Sequence, residues 1–141
     1  MKALNDKHAI LVRASAAYTN AYVAVTETST KDCDRMTWFI DHDDDVSAAG
    51  TAGALTFKVQ ARNPKQPKDT AVWFDVHKLA TSAISPQEYT YTPSADVKFA
   101  FPPGGVPVQG DAMRIVLKAA NNGKGAVIVN SYKTRNTGGT S

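Results

Sequence analysis

The sequence predicts an all-β chain, an antiparallel β-sandwich or jelly-roll-like domain of about eight strands with flexible terminal arms. Residues 55–62 alternate between apolar and polar side chains, which is the period of a strand with one buried face and one wet face. Similar short runs recur along the chain, separated by segments rich in Gly, Pro, Asn and Asp. No stretch shows convincing helical periodicity, so a sandwich is favoured over a βαβ fold.

The composition is that of a single globular domain. The chain has 141 residues, enough to bury a core without disulfides or metal ions. Its net charge is +3 and its Lys and Arg residues are scattered, so no nucleic-acid partner is expected. The single cysteine, Cys33, excludes an internal disulfide and favours assembly in a reducing cytoplasm. No signal peptide and no apolar run of ~20 residues is present, so we expect neither secretion by the usual route nor a membrane partner.

The domain is predicted to span residues 9–133, between a polar arm at 1–8 and a Gly/Thr/Ser-rich tail at 134–141. The first strand is expected at 9–12, and a turn or a single turn of helix at 14–17.

The next segment combines a strand, a turn and a second strand. Residues 21–26 are rich in β-branched and aromatic side chains, which predicts a strand, and residues 28–32 are expected to form a polar turn. Residues 35–41 alternate and place Trp38 on one face and Phe39 on the other. This pattern predicts a central strand that is covered on both sides.

The central element is a predicted β-hairpin of residues 55–62 and 70–77. The segment between the two runs contains prolines that cannot continue a ladder of hydrogen bonds. In the second run, Trp73 falls on the face opposite to Phe74.

Four further segments follow the hairpin. Residues 78–86 are a connection, and strands are expected at 87–93 and 96–101. Residues 102–107 are so rich in Pro and Gly that a turn or an ordered loop is predicted.

The last two runs, 111–119 and 126–133, are predicted to pair as a second hairpin. The Asn-Asn-Gly sequence at 121–123 is a tight-turn signal because Asn and Gly tolerate positive φ. Arg114 and Lys118 are expected to point outward from the first of these strands.

A dense acidic cluster is the sharpest local signal for chemistry. Asp41, Asp43 and Asp45 have the spacing of a calcium loop, but Val46 and Ala52 occupy the Gly and Glu positions of an EF-hand. An irregular cation site stays open as one interpretation. The other is a solvated acidic loop that protects a strand edge from pairing.

No catalytic signature is present. The histidines lack metal-ligand spacing, Cys33 has no CxxC partner and no GxSxG motif occurs. We therefore predict no enzymatic activity and no cofactor, and we expect Cys33 to be a quiet, half-buried thiol.

Four aromatic residues are candidates for a sugar-binding platform: Trp38, Trp73, Tyr89 and Tyr91. Trp73 is the best of these because it lies opposite an apolar face. The alternative is that such residues belong to the core or to a protein interface.

The order of the strands carries a resemblance to a known group of proteins. A strand such as 36–41 leads to a Gly/Ala/Ser-rich loop and then to a strand pair such as 55–61 and 70–76. An arginine-bearing strand at 113–117 precedes a final strand. Over most of residues 9–133 this layout is similar to that of small β-sandwich virion proteins of tailed bacteriophages.

The resemblance implies a non-enzymatic virion component, first of all a capsid decoration or cement protein on the phage head, assembled in the host cytoplasm. Its partners would be the major capsid protein and copies of the chain itself, for example a homotrimer on a capsid three-fold axis. The predicted interface residues are Trp73, Tyr89, Tyr91 and Arg114. The alternatives are a carbohydrate-binding module and a tail or neck adaptor.

Overall fold

The computed structural model is an all-β chain in which every strand pairing is antiparallel. The strands in chain order are β1 (Ala9–Ala17), β2 (Val23–Ala24), β3 (Thr28–Ser29), β4 (Arg35–Asp43), β5 (Leu55–Arg62), β6 (Trp73–Asp75), β7 (His77–Leu79), β8 (Ile84–Pro86), β9 (Glu88–Tyr91), β10 (Val97–Pro107), β11 (Ala112–Ala119) and β12 (Ala126–Thr134). The structure describes residues 9–44, 50–63, 72–79, 84–86, 88–92 and 95–135. Both predicted terminal arms lie outside these ranges, apart from the first two residues of the predicted tail.

The strands form two main sheets and a small hairpin. The first sheet has the order β1-β12-β4-β10. In the second sheet, β11 and β5 are central. Strands β2 and β3 lie end to end along the outer edge of β11, and β6 and β9 lie end to end along the outer edge of β5. Strands β7 and β8 pair with each other between β6 and β9 in the chain.

The strand order is that of a jelly roll. When each end-to-end pair is counted as one interrupted strand, each main sheet holds four strand positions. Numbered along the chain, the positions run first-eighth-third-sixth in one sheet and second-seventh-fourth-fifth in the other. Two antiparallel sheets connected in this way form the double Greek key of a jelly roll. The predicted fold class is therefore confirmed.

The core lies between the two sheets and follows the predicted alternation. From β4 it takes Met36, Trp38 and Ile40, all almost completely buried. From β5 and β11 it takes the inward-facing residues Leu55, Phe57, Val59, Met113, Ile115 and Leu117. The ring of Phe57 lies 5.7 Å from the ring of Phe99 and 5.7 Å from that of Phe101, so aromatic side chains join β5 to β10 across the sandwich.

The predicted hairpin of residues 55–62 and 70–77 is confirmed where the structure describes it. Strand β6 pairs with the end of β5, with Arg62 opposite Trp73 and Gln60 opposite Asp75. Phe74, however, is 53% exposed, because β6 is an edge strand and the facing sheet does not cover it.

The second predicted hairpin is wrong, because β11 and β12 belong to different sheets. An Asn-Gly signal specifies that the chain reverses, but not that the flanking strands pair. Both edges of β11 are already occupied by β5 and by β2 and β3. The turn is held instead by neighbouring loops, since the amides of Asn121 and Gly123 donate to the carbonyls of Ala52 and Tyr18 at 2.9 and 2.7 Å.

Residues 102–107, predicted to be a turn or loop, belong to β10 as an interruption within the strand. Phe101 pairs with Trp38 and Val106 pairs with Met36, so four residues of β10 bulge opposite one residue of β4. Gly105 has a φ of +75°, and a Cβ at this position would approach the Thr37 hydroxyl to 2.8 Å. Glycine at this position allows the bulge to lie against β4.

Three other local predictions need correction. Residues 14–17 continue β1, with 14 and 15 inside the second of two register shifts and Ala16 and Ala17 paired with β12, so they form neither a turn nor a helical turn. Thr28 and Ser29, placed in a polar turn, pair with β11 because that strand offers a free edge there. The connection at 78–86 contains most of the β7–β8 hairpin.

Candidate interaction surfaces

Two of the predicted interface residues, Trp73 and Arg114, meet on the outer face of the second sheet. The Arg114 guanidinium lies 4.1 Å from the centroid of the Trp73 ring, and its Nε donates to the Gln60 side-chain oxygen at 2.9 Å. Burial on this face lowers the pKa of Arg114 from its ordinary value. One face of the indole is thus covered by an arginine of the same chain.

The same pattern continues along the sheet. The ammonium groups of Lys58 and Lys118 both lie 4.6 Å from the centroid of the Tyr22 ring. Beneath them Val116, although it points outward, is only 6% exposed, because long cationic side chains lie over apolar surface. We call these five residues the cation–π layer: Tyr22, Lys58, Trp73, Arg114 and Lys118. The aromatic rings on the outer face of the second sheet are thus covered by cationic side chains of the same chain.

Replacing Arg114 by alanine is expected to uncover one face of the Trp73 indole and to cost about 0.5–1 kcal/mol of unfolding free energy. The tryptophan emission maximum should move to longer wavelength, because the Trp73 indole becomes more exposed to water. Trp38 is fully buried and contributes a constant background. Lys118→Ala is the matched control, since that lysine contacts Tyr22 and should leave the emission unchanged. An unchanged emission maximum in the Arg114 variant would contradict the stacking.

The other two predicted interface residues, Tyr89 and Tyr91, stand at different register positions of the sheet. In the pairing of β9 with β5 they lie opposite Phe57 and Leu55, two fully buried residues. Trp73 stands opposite Arg62 at the other end of β5. The register therefore does not bring the tyrosine positions together with Trp73 and Arg114.

The outer face of the first sheet is different because it exposes apolar side chains. Leu11 of β1 is 58% exposed and Phe39 of β4 is 45% exposed. The register aligns Leu11, Asn130, Phe39 and Ala100 in one row across all four strands. The predicted cover over Phe39 is therefore wrong.

Two further side chains extend this surface on either side of the row. The centroids of the Tyr132 and Phe39 rings lie 5.6 Å apart in an edge-to-face arrangement. Ile128 stands beside Asp41 on the neighbouring strand. We call this surface the apolar face and define it by five residues: Leu11, Phe39, Ala100, Ile128 and Tyr132. The polar Asn130 lies between Leu11 and Phe39, and the Asp41–Lys98 ion pair lies beside Phe39 and Ala100. Exposed apolar side chains grouped in this way mark sites of interaction.

The acidic cluster lies at one end of β4 and is partly neutralised. Asp41 forms an ion pair with Lys98 at 2.8 Å, and Asp43 lies on the same outward-facing side of the strand. Asp45 lies outside the described residues. Within the described ranges, no group of three or more His, Cys, Asp or Glu side chains is arranged to hold a metal ion. Asp41 and Asp43 thus act as charged residues at the margin of the apolar face.

A buried polar cluster lies at the end of the sandwich where β4 ends. The Tyr18 hydroxyl and His42 Nδ1 are 2.9 Å apart, and His42 Nε2 lies 3.4 Å from Asp44 Oδ1. Asp44 Oδ1 also accepts from the Ala52 amide at 3.3 Å. All four residues are almost completely buried. No sequence motif indicates this cluster, although His42 continues the inward-facing positions of β4.

A second polar cluster closes the opposite end of the sandwich. Arg62, 8% exposed, donates from Nε and Nη2 to the two carboxylate oxygens of Asp111 at 2.8 and 2.9 Å. Its Nη1 donates to Glu27 at 2.9 Å. These bonds, first of all those to Asp111, raise the pKa of Arg62. Sequence spacing carries no signal for this cluster because its members come from distant segments.

Cys33 is buried, with 8% of its surface exposed, where a half-buried thiol was expected. Its Sγ donates to the Thr30 carbonyl at 3.3 Å, and burial raises the pKa of the thiol. The thiolate is the reactive form, so a raised pKa leaves less of it at neutral pH.

Alkylation of Cys33 by iodoacetamide at pH 8 is therefore expected to be roughly tenfold or more slower than that of free cysteine. In denaturant the rate should rise to that of the free amino acid. Mass spectrometry of quenched time points gives both rates. Equal rates for the folded and denatured chain would show that the thiol is accessible and ionised normally.

One of the four aromatic residues considered for a sugar-binding platform lies in the core. Trp38 is fully buried in the core, so it cannot share a groove with Trp73. Trp73 itself is stacked by Arg114.

Comparisons with known proteins find no matching family model, no matching curated protein and no matching solved structure. The part of the chain that the structure describes contains no helix long and apolar enough to cross a membrane.

Proposed function

We propose that the chain is a non-enzymatic structural component of a phage virion, a capsid decoration or cement protein that acts through protein–protein contacts. The observation that carries the proposal is the apolar face, an exposed sheet surface centred on Phe39. Its exposed apolar side chains suit contact with another protein surface. The jelly roll is consistent with this role because viral capsid domains use it, although a fold alone does not identify a function.

The polar clusters support a structural role. Tyr18, His42 and Asp44 are buried where a substrate has no access. Arg62 directs its described hydrogen bonds to Asp111 and Glu27. The hydrogen bonds of both clusters connect separate loops and strands of this chain, as expected for a rigid structural protein.

A jelly roll also occurs in lectins, so a carbohydrate-binding module is the second candidate. The observation in its favour is that Trp73 is only partly buried. The Arg114 guanidinium on that ring weighs against it, because a sugar would have to displace the arginine.

Binding to phage heads tests the proposal directly. Purified protein is mixed with particles from the source that lack it, and the pelleted fraction is analysed by electrophoresis and cryo-electron microscopy. We expect saturable binding, with density that bridges neighbouring capsomers. Phe39→Asp should abolish binding, whereas Phe74→Asp, which alters an equally exposed phenylalanine on the other sheet, should not.

Other outcomes separate the alternatives. Density confined to the tail or neck would assign the chain to the adaptor class. No binding to any part of the particle would overturn the virion proposal, and a glycan array read against Trp73→Ala would then test the second candidate.

A further inference from the structure

We infer that the apolar face binds a second copy of this chain, face to face, about a two-fold axis that passes along the row of Leu11, Asn130, Phe39 and Ala100. The inference rests on the proposed function and deepens it: the apolar face joins two copies, so Phe39→Asp would prevent binding to phage heads through loss of the dimer. The inferred unit of assembly is a dimer, whereas the resemblance gave a homotrimer as an example.

The whole outer face of the first sheet, which includes Asp41, Lys98 and Asn130 as well as the apolar face, is large enough for such a contact. Four strands spaced ~4.8 Å apart and about nine residues long present about 500 Å² of outer surface. Two copies would therefore bury about 1,000 Å² in total, the lower bound of a specific interface. Sheets that pack face to face align their strands within about 30°, so β4 of one copy would lie over β4 of the other.

The charges along β4 select the orientation. Arg35 and Asp43 lie at the two ends of the strand, four residues to either side of Phe39, and both point outward. A two-fold axis along the row reverses the strand, so Arg35 of each copy faces Asp43 of the other and Phe39 packs on Phe39. An axis parallel to the strands would instead oppose Arg35 with Arg35 and Asp43 with Asp43, and like charges so placed repel.

The flanking strands match under the same axis. In the register of β12 with β4, Ile128 stands beside Asp41 and Tyr132 beside Thr37, equally far from the row. The axis therefore places Ile128 of one copy against Tyr132 of the other. Such self-complementarity is the requirement of an isologous two-fold interface.

The outer face of the second sheet fails the same requirement. The cation–π layer carries three cations, Lys58, Arg114 and Lys118, and Asp75 beside Lys58 offsets one of these charges. Two copies stacked on this layer would still bring a surplus of positive charge together. Its aromatic rings are already covered by these cations. The first sheet is thus the face on which this chain pairs with itself.

Sedimentation equilibrium of the purified chain, without particles, tests the inference. We expect a dimer that Phe39→Asp converts to a monomer and that Phe74→Asp leaves intact. Arg35→Asp and Asp43→Arg should each raise the dissociation constant roughly tenfold, because each turns two attractive contacts into repulsive ones. The double variant Arg35→Asp/Asp43→Arg should restore the wild-type constant, since the attraction is then reversed in sign but complete.

Circular dichroism on each variant guards against misfolding, because Arg35 also donates to the carbonyls of Gly104 and Gly105. Asp43→Arg alone keeps that contact and still tests the charge pairing. A wild-type chain that remains monomeric at hundreds of micromolar would overturn the inference, as would a double variant no tighter than the single ones. A chain that is monomeric but binds phage heads would contradict the inference and support the proposed function. A dimer that does not bind phage heads would support the inference and contradict the proposed function.

Discussion

Replacing Phe57 by alanine is expected to lower the unfolding free energy by about 3–5 kcal/mol. Phe57 is fully buried, and its ring contacts the rings of Phe99 and Phe101 from the opposite sheet. The loss combines the transfer free energy of the ring with the cavity it leaves between the sheets, where rigid strands restrict collapse.

Thermal or urea unfolding monitored by circular dichroism gives the value, and we expect a fall in melting temperature of roughly 10–15 °C. Phe57→Leu keeps much of the volume and should lose less than half as much. Phe74→Ala is the exposed control and should cost less than about 1 kcal/mol. A cost for Phe57→Ala no greater than for Phe74→Ala would show that this ring is not central to the core.

Replacing Asp44 by alanine is expected to cost about 1–3 kcal/mol. The substitution removes the acceptor of the Ala52 amide and leaves that buried N–H unsatisfied. It also removes the carboxylate beside His42. Both effects weaken the contact between the end of β4 and Ala52.

Asp44→Asn is the matched control because it keeps an oxygen in the position that accepts the Ala52 N–H. It should recover more than half of the loss measured for alanine. Hydrogen exchange of the Ala52 amide gives a local readout, with faster exchange expected in the alanine variant than in the asparagine variant. Equal stability of the two variants would show that the Ala52 hydrogen bond contributes nothing.

The sequence predicted the elements whose alternation is strict. In β5 and β11 every second residue is apolar, and the structure buries the predicted side of each strand. A period of two depends only on which face is wet, so one sequence is sufficient to detect it. The same rule failed for Phe74. Burial also requires cover from the facing sheet, and β6 lies at the edge of its own sheet, where this cover is lacking.

Pairing partners were harder to predict than strands. The run at 111–119 and the run at 126–133 are close in sequence and joined by a turn signal, yet they lie in opposite sheets. Local turn chemistry does not record which edges are already occupied. In a jelly roll most strands pair with partners distant in the chain, so nearest-neighbour reasoning fails at many connections.

The candidate surfaces divide in the same way. Trp73 and Arg114 were both chosen from the sequence, but their contact at 4.1 Å follows from the register of β6, β5 and β11. Phe39 was expected to be covered because both faces of its strand carry an aromatic residue. An exposed aromatic and a buried one look alike in a single sequence, and only the layer arrangement separates them.

The place of β12 in the first sheet has a consequence for synthesis of the chain. Strand β12 lies between β1 and β4, so a strand that is made late separates two that are made early. Ala9 finds its partner only when Tyr132 has been added. Until then, β1 and one edge of β4 lack the partner that covers them, and such edges template pairing between chains. A product truncated before residue 126 should therefore aggregate.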